Sequence, residues 1–383
     1  MTKLSMLVTA VLAACGGGGN GDDEVGTDAG TTDAPTVTNP GVTVVDLGPV
    51  QSGVAVPLEI PAHALGFHVI LDVDNAVGNE SVGVQTVTSP SGAVIVQDFA
   101  FVGGFELGPL PTGATAISIP QSSAPAGMPV EPGTWQLTFW FEAGHTARAR
   151  AMIRTTEDGE FHGGVLDVRI YIPDGLVIDE PMPAHAITAA TAGDDPCVTT
   201  RVDSFFTTLE QTLGLGRGRV EYVALPAEFA EITSDSERVA ALRSTSAPDG
   251  QPALHMVWTD AVQIFGQTVW GVSAGAPGAA LSPGHDLAGV VVDISLGFPA
   301  VADGMTMVHE AGHFMGLFHT SSPGNYFDPL TDTPECPEGT SPCPDARNIM
   351  QAAFYGTSGG IGLMASEQQQ RVVWGSPIYR ATP

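Results

Sequence analysis

From Gly41 to Thr156 apolar and polar positions alternate in short runs. GVTVVDL (41–47), GFHVILDVD (66–74), SVGVQTV (81–87), GAVIVQDF (92–99), ATAISI (114–119), GTWQLTFWF (133–141) and RARAMIRTT (148–156) are β-branched or aromatic segments of strand length. Clusters such as Ser89-Pro90-Ser91-Gly92 and Glu131-Pro132-Gly133 separate them. A period of two between regularly spaced turns predicts an all-β antiparallel sandwich over residues 41–160. Residues 155–164, TTEDGEFHGG, are polar and glycine-rich and read as a linker.

Beyond about residue 165 the period changes. LDVRIYIP sets Leu166, Val168, Ile170 and Ile172 against Asp167, Arg169 and Tyr171, which is a strand pattern. VDSFFTTLEQTL puts Val202, Phe205, Phe206, Leu209 and Leu213 on one helical stripe, and Gly214 and Gly216 stop it. RVEYVAL reads as a strand, and SDSERVAALR opens with a capping box from Ser234 to Glu237 and reads as a helix. ALHMVWT and GVVVDISL are further strands. Strands alternating with helices predict an α/β layered domain over residues 165–383. The expected fold is therefore multidomain, a β-sandwich followed by an α/β unit, and 383 residues are enough for both.

The first residues follow neither pattern. MTKLSMLVTAVLAAC has one early cation, Lys3, and an apolar run too short to span a bilayer. It fits a signal peptide over residues 1–15. Leu12-Ala13-Ala14-Cys15 resembles a bacterial lipobox, which would make Cys15 the lipidated first residue of the mature chain. An ordinary secretory signal is the alternative, and both export the protein. Residues 16–40 are rich in Gly, Asp and Thr and read as a flexible tether. The expected location is the cell surface, on a lipid anchor, or the secreted fraction. Charge narrows the partners further. With 42 acidic and 13 basic residues the net charge is −29, which repels phosphate backbones and anionic lipid heads. Nucleic acid is thereby disfavoured, and the membrane is expected to be reached only through the N-terminal lipid.

The segment HEAGHFMGLFHT (309–320) carries the chemistry. His309 and His313 lie four apart, so a helix puts both imidazoles on one face about 6 Å apart, close enough to share a zinc ion. Glu310 is turned about 100° from His309 and can reach a water beside the metal without ligating it. Gly316 can end the helix, and His319 can then approach from outside it. Three neutral imidazoles would leave the metal its charge and an open position, which acidifies water for attack on a carbonyl. Glu310 would serve as general base and then general acid. HExxH alone arises by chance in about one such sequence in a hundred, and the added glycine and histidine lower that to about one in ten thousand.

HExxHxxGxxH is the signature of the metzincin zinc peptidases, and this stretch matches every fixed position. That resemblance implies a methionine turn beneath the metal, and RNIM ends in Met350, at a plausible distance after His319. Within the metzincins the chain is similar to the pappalysin (cytophagalysin) family. The residues that carry this are Gly312, GLFHT, TDTP (331–334), the cysteines around that loop, NIM, and the closing segment MASEQQQRVVW. The resemblance is tight over 309–350 and looser over about 254–375. It implies a secreted zinc endopeptidase acting on protein or peptide substrates, and an edge strand within VWGVSAGAPGAAL (269–281) that pairs with substrate. A plain surface loop is the alternative for that segment. One departure stands out: family members often carry tyrosine two residues after the turn methionine, where this chain has Ala352. A catalytically weak or inactive zinc-stabilised adhesin is therefore the alternative function. A latency role for the sandwich, released by a cut near 155–197, is a third.

Cys336 and Cys343 resemble the family's loop cysteines and suggest a disulfide in an exported chain. With Cys15 lipidated, three cysteines remain, so one of them, Cys197 in the favoured pairing, stays free or pairs between molecules. Asn325, Asp328, Asp332 and Glu335 offer the oxygen ligands of a Ca2+ site, but a solvated acidic loop is the preferred reading. The other histidines show no ligand spacing. The oligomeric state is not encoded in any pattern along the chain.

Overall fold

A computed structural model of the chain describes residues 38–74, 80–102, 110–121, 128–264, 266–294, 299–320, 331–334, 340, 344–351 and 363–382. The signal segment with Cys15, most of the tether, Asn325, Asp328, Glu335, Cys336, Cys343 and Ala352 lie outside the described residues. The fold is mixed α/β and dominated by sheets.

The N-terminal part runs through β1 (Val42–Val50), β2 (Ala55–Ile60), β3 (Ala64–Val73), β4 (Ser81–Thr88), β5 (Val94–Gln97), β6 (Ala100–Phe101), β7 (Leu110–Pro111), β8 (Ala114–Ile119), β9 (Gly133–Phe141) and β10 (Ala147–Thr155). One antiparallel sheet has the order β1-β10-β3-β8, the other β2-β9-β4-β5-β6 with β7 also on β4. Alternation explains the packing. Phe67, Val69 and Leu71 of β3 share an apolar core with Trp135, Leu137 and Phe139 of β9, so the two sheets meet face to face. Strand β2 is not among the segments read as strands from the sequence, and it carries Pro57. Pro57 is tolerated because β2 is an edge strand, where a missing N–H costs no ladder bond.

The C-terminal part runs through β11 (Gly164–Pro173), β12 (Val177–Ile178), β13 (His185–Ala186), α1 (Pro196–Leu213), β14 (Gly216–Leu225), β15 (Glu231–Ile232), α2 (Asp235–Arg243), β16 (Leu254–Thr259), β17 (Ala261–Ile264), β18 (Gln267–Val269), β19 (Gly271–Ser273), β20 (Gly289–Asp293), α3 (Ala300–Phe314), α4 (Glu367–Trp374) and β21 (Arg380–Ala381). Its main sheet has the order β14-β11-β16-β20-β19, with β21 on β11. Strands β14, β11, β16 and β20 are parallel, and β19 runs antiparallel at the edge. Central strands are buried on both faces, which their near-continuous apolar runs require. Met256, Trp258, Val290 and Val292 face a core shared with α1 and α3. Val257 and Val291 face the other way, toward α2 and the small β15-β17-β18 sheet. The charged residues of β11 are buried as well: Asp167 accepts from Arg219 and Arg380, and Arg169 donates to Glu221 and Asp249.

The two parts are not separated by a free linker. Ile70, Ala114 and Met152, on the outer face of the four-stranded sheet, belong to the same core as α1, α3 and α4. In the segment expected to be a linker, Phe161 stacks on Trp374 with ring centroids 4.5 Å apart. At the end of the expected tether, residues 38–40 are among the described residues. Asn39 is buried and donates from Nδ2 to the carbonyls of Pro377 and Tyr379, both at 2.7 Å.

Candidate metal centre

Helix α3 sets the first two ligand candidates. Its first turn carries Asp303, buried against Arg201 of α1, whose Nε donates to Asp303 Oδ2 at 2.6 Å. Its C-terminus closes as a Schellman motif: Gly316 N–H donates to His313 O at 2.9 Å and Leu317 N–H to Gly312 O at 2.9 Å. Gly316 has φ of +106°, a conformation that favours glycine. The reversal it permits brings His319 back toward the helix.

The three imidazoles meet. His309 Nε2 lies 3.0 Å from His319 Nε2 and 3.1 Å from His313 Nε2, and His313 Nε2 lies 3.1 Å from His319 Nε2. These contacts are not all hydrogen bonds. His309 Nδ1 is 2.7 Å from Ile349 O, and His313 Nδ1 is 2.6 Å from Leu317 O. A carbonyl only accepts, so each Nδ1 carries the proton and each Nε2 of these neutral rings presents a lone pair. Two lone pairs facing each other at 3.1 Å repel unless a cation lies between them. Burial holds all three rings neutral: desolvation pushes His309 down to about 3, His313 down to about 4, and His319 well below its ordinary value. A tetrahedral zinc with nitrogen ligands at 2.0–2.1 Å needs ligand atoms about 3.3 Å apart. The observed spacing is within a few tenths of an ångström of that, and an all-nitrogen set suits zinc better than Ca2+ or Mg2+. His313 and His319 are only half-buried, so the cluster opens to solvent on one side.

Met350 packs against helix α3 at Gly312, next to His313 in the chain. It is fully buried, and a Cβ placed on Gly312 would come 2.6 Å from its Sδ. Glycine at 312 is what lets the thioether press against the helix. The turn itself is braced. Met350 N–H donates to Asn348 Oδ1 at 2.8 Å. Asn348 and Gln369 of α4 exchange amide bonds at 2.8 and 3.1 Å. Ile349 O of the same turn orients His309.

Glu310 is buried, and desolvation pushes its carboxyl up to about 8, against the opposing effect of a Ser273 backbone hydrogen bond. Its side chain faces β19, the edge strand. A Cβ on Gly271 would come 2.7 Å from Glu310 Cγ and 2.9 Å from Oε1. Gly271 and Ser273 therefore shape the space around this carboxylate. Neither was singled out from the sequence; glycine at the head of the VWGVSAGAPG run was the available signal. Thr320, whose hydroxyl donates to Asp345, and the Arg201–Asp303 pair were likewise not predicted. No residue of Cys15, Cys336 or Cys343 is among those described, and the described free cysteine is Cys197, fully buried. Of that acidic loop's four residues only Asp332 is described, and its Oδ2 accepts from Gln368 N–H at 2.9 Å.

The sequence matches no protein-family model and no curated protein sequence. Among solved structures, the chain is similar to an archaemetzincin from Methanopyrus kandleri, with 15% identity and a TM-score of 0.30, over 56% of this chain and 89% of that one. It is also similar to metalloproteinase-II from Bacteroides fragilis, with 14% identity and a TM-score of 0.31, over 59% of this chain and 62% of that one. At these scores neither likeness adds to what the side-chain geometry says.

Proposed function

We propose that the protein is a zinc endopeptidase of the metzincin type, closest in its motif to the pappalysins, exported and held at the cell surface by lipid at Cys15. One observation supports the metal above all. Three neutral imidazoles converge at 3.0–3.1 Å, two of them with Nδ1 committed to backbone carbonyls. His309, His313 and His319 would hold the ion, and Met350 would floor the site. A zinc ion held there supplies Lewis acidity toward a peptide carbonyl and lowers the pKa of a water molecule. Glu310 does the proton work. Its buried carboxylate takes the proton of the attacking water and delivers it to the leaving amine. Strand β19, which among the described residues pairs with β20 alone in its sheet, offers an edge to an extended peptide. The N-terminal sheets form the proposed β-sandwich domain, and the tether before residue 38 would separate it from the lipid.

The test is zinc stoichiometry together with cleavage of casein or a quenched peptide, on the full chain and its Glu310→Gln variant. One zinc at this site in both is expected, with hydrolysis reduced about 10²- to 10⁴-fold in the variant. Undiminished cleavage by Glu310→Gln rejects the mechanism. Zinc binding without cleavage by either protein favours the adhesin reading.

A further inference from the structure

The mechanism leaves a buried thiol unused. Cys197 is fully buried and free, at the second position of α1. It does not stand alone. One ligand atom each from His185, Asp195 and Cys197 lie within 4.8 Å of one another. The orientations of the first two are fixed from outside the cluster. His185 Nδ1 lies 2.9 Å from Pro183 O and must donate to it, so Nε2 is the ring atom turned inward, 2.6 Å from Asp195 Oδ2. Asp195 caps α1: its Oδ1 accepts from Cys197 N–H at 2.8 Å and Val198 N–H at 3.2 Å, which leaves Oδ2 facing His185. Anchoring the far atom of each ligand so that the near atom is presented is how protein frames orient metal ligands.

We propose that His185 Nε2, Asp195 Oδ2 and Cys197 Sγ form a second, structural metal site that takes zinc or a similar borderline divalent cation. A nitrogen, oxygen and sulfur set is the donor mixture such ions accept, whereas Ca2+ and Mg2+ reject the thiolate. Charge balances. Without metal His185 holds a proton on each nitrogen and pairs with the Asp195 carboxylate. Binding releases one proton from His185 Nε2 and one from the Cys197 thiol in exchange for the two charges of the ion. Nitrogen and oxygen ligands of one zinc stand about 3.3 Å apart, so His185 must draw back by roughly 0.7 Å. It is the member able to move: its side chain is 28% exposed and it sits on the two-residue strand β13. Asp195 and Cys197 are fixed to the helix.

The location gives the site a purpose. It would tie the β12–β13 hairpin to the start of α1. Arg201, one turn further along α1, donates from Nη1 to the carbonyls of Asp179, Glu180 and Cys197, and from Nε to Asp303 of α3. An ion at His185, Asp195 and Cys197 would hold together the carbonyls that hold Arg201, and through Arg201 the helix that carries His309 and His313.

Cobalt titration tests this without reference to activity. In the full chain with Cys15, Cys336 and Cys343 replaced by serine, Cys197 is the only thiol. Added Co2+ is expected to reach two ions per chain and to give a sulfur-to-cobalt charge-transfer band in the near ultraviolet. His185→Ala, a change at a partly exposed position, should lower the count to one and remove the band. Cys197→Ser should remove the band as well. The double variant His309→Ala, His313→Ala should also lower the count by one but keep the band, so failure of either site is seen separately. Cobalt binding to the Cys197-only chain with no band overturns the proposal, whatever the count. Cys197 is then a core residue and His185–Asp195 a simple ion pair.

Discussion

A methyl group at position 271 would meet Glu310, and that contact makes Gly271→Ala informative. Either the carboxylate or the edge strand must shift, and a displacement of about 1 Å near reacting atoms costs about a hundredfold in rate. Peptide hydrolysis is expected to fall by that order while zinc content, read by metal analysis, stays at the parent value. Two histidines away from the metal centre give a second prediction. His68 is pushed down to about 3 by burial first and by Arg150 second. His255 is pushed down to about 3, again by burial first, with Arg169 adding to it. Between about pH 6.5 and pH 3 the unfolded chain binds these protons and the folded chain does not. The stabilisation is thus present above pH 6.5 and is lost as the pH falls, by about 1.4 kcal/mol per pH unit for each histidine. Chemical denaturation from pH 7 to pH 4 should show this slope, reduced by one proton in His68→Gln and again in His255→Gln. The three clustered histidines could be found in the sequence because their spacing is local. Gly271 could not, since the residue it makes room for lies 39 positions away.

At the scale of elements, the sequence specified helix ends well where capping is local. The Ser234–Glu237 capping box is formed, and Gly214 ends α1 in the left-handed region with φ of +73°. Helix α1 begins at Pro196, earlier than the apolar stripe suggests, because Asp195 caps it and proline suits the first helical position. The turn at Met350 shows the opposite case. Its motif is short, but its support comes from α4, through the reciprocal Asn348–Gln369 amide pair. Asn348→Ala leaves the buried Gln369 Nε2 without the Asn348 acceptor, while Oε1 keeps Ser366 N–H, and a buried donor left unsatisfied costs about 1–3 kcal/mol. A lower unfolding midpoint is expected, together with weaker zinc retention in a chelator titration, because Ile349 O also orients His309. Retention equal to the parent would mean that the turn is held by packing alone.

At the scale of the whole molecule, the outer face of the four-stranded sheet lies against the helices of the C-terminal part. Arg154 is buried there: it donates to the carbonyls of Ser376 and Tyr379, and its guanidinium lies 4.0 Å over the Tyr379 ring. Gly66 and Gly375 come so close that a Cβ on Gly66 would lie 2.6 Å from Gly375 Cα. Asp72 pairs with His285 and Arg150 with Ser282 across the same junction. A protease site inserted at the exposed residues Glu157–Asp158 should therefore be cut without separation, and the two pieces should co-elute in gel filtration and unfold in one transition. Separate elution would favour a releasable latency domain. The sequence by itself determined the period of each segment, the caps of its helices and the zinc-type motif, because each depends on residues within a few positions of one another. Only the tertiary structure decided that Gly271 borders Glu310, that Asn348 leans on Gln369, and that the expected linker is pinned to the C-terminal helix. Those are contacts between segments far apart in the chain, fixed by how the layers bury their apolar faces, and no local spacing encodes them.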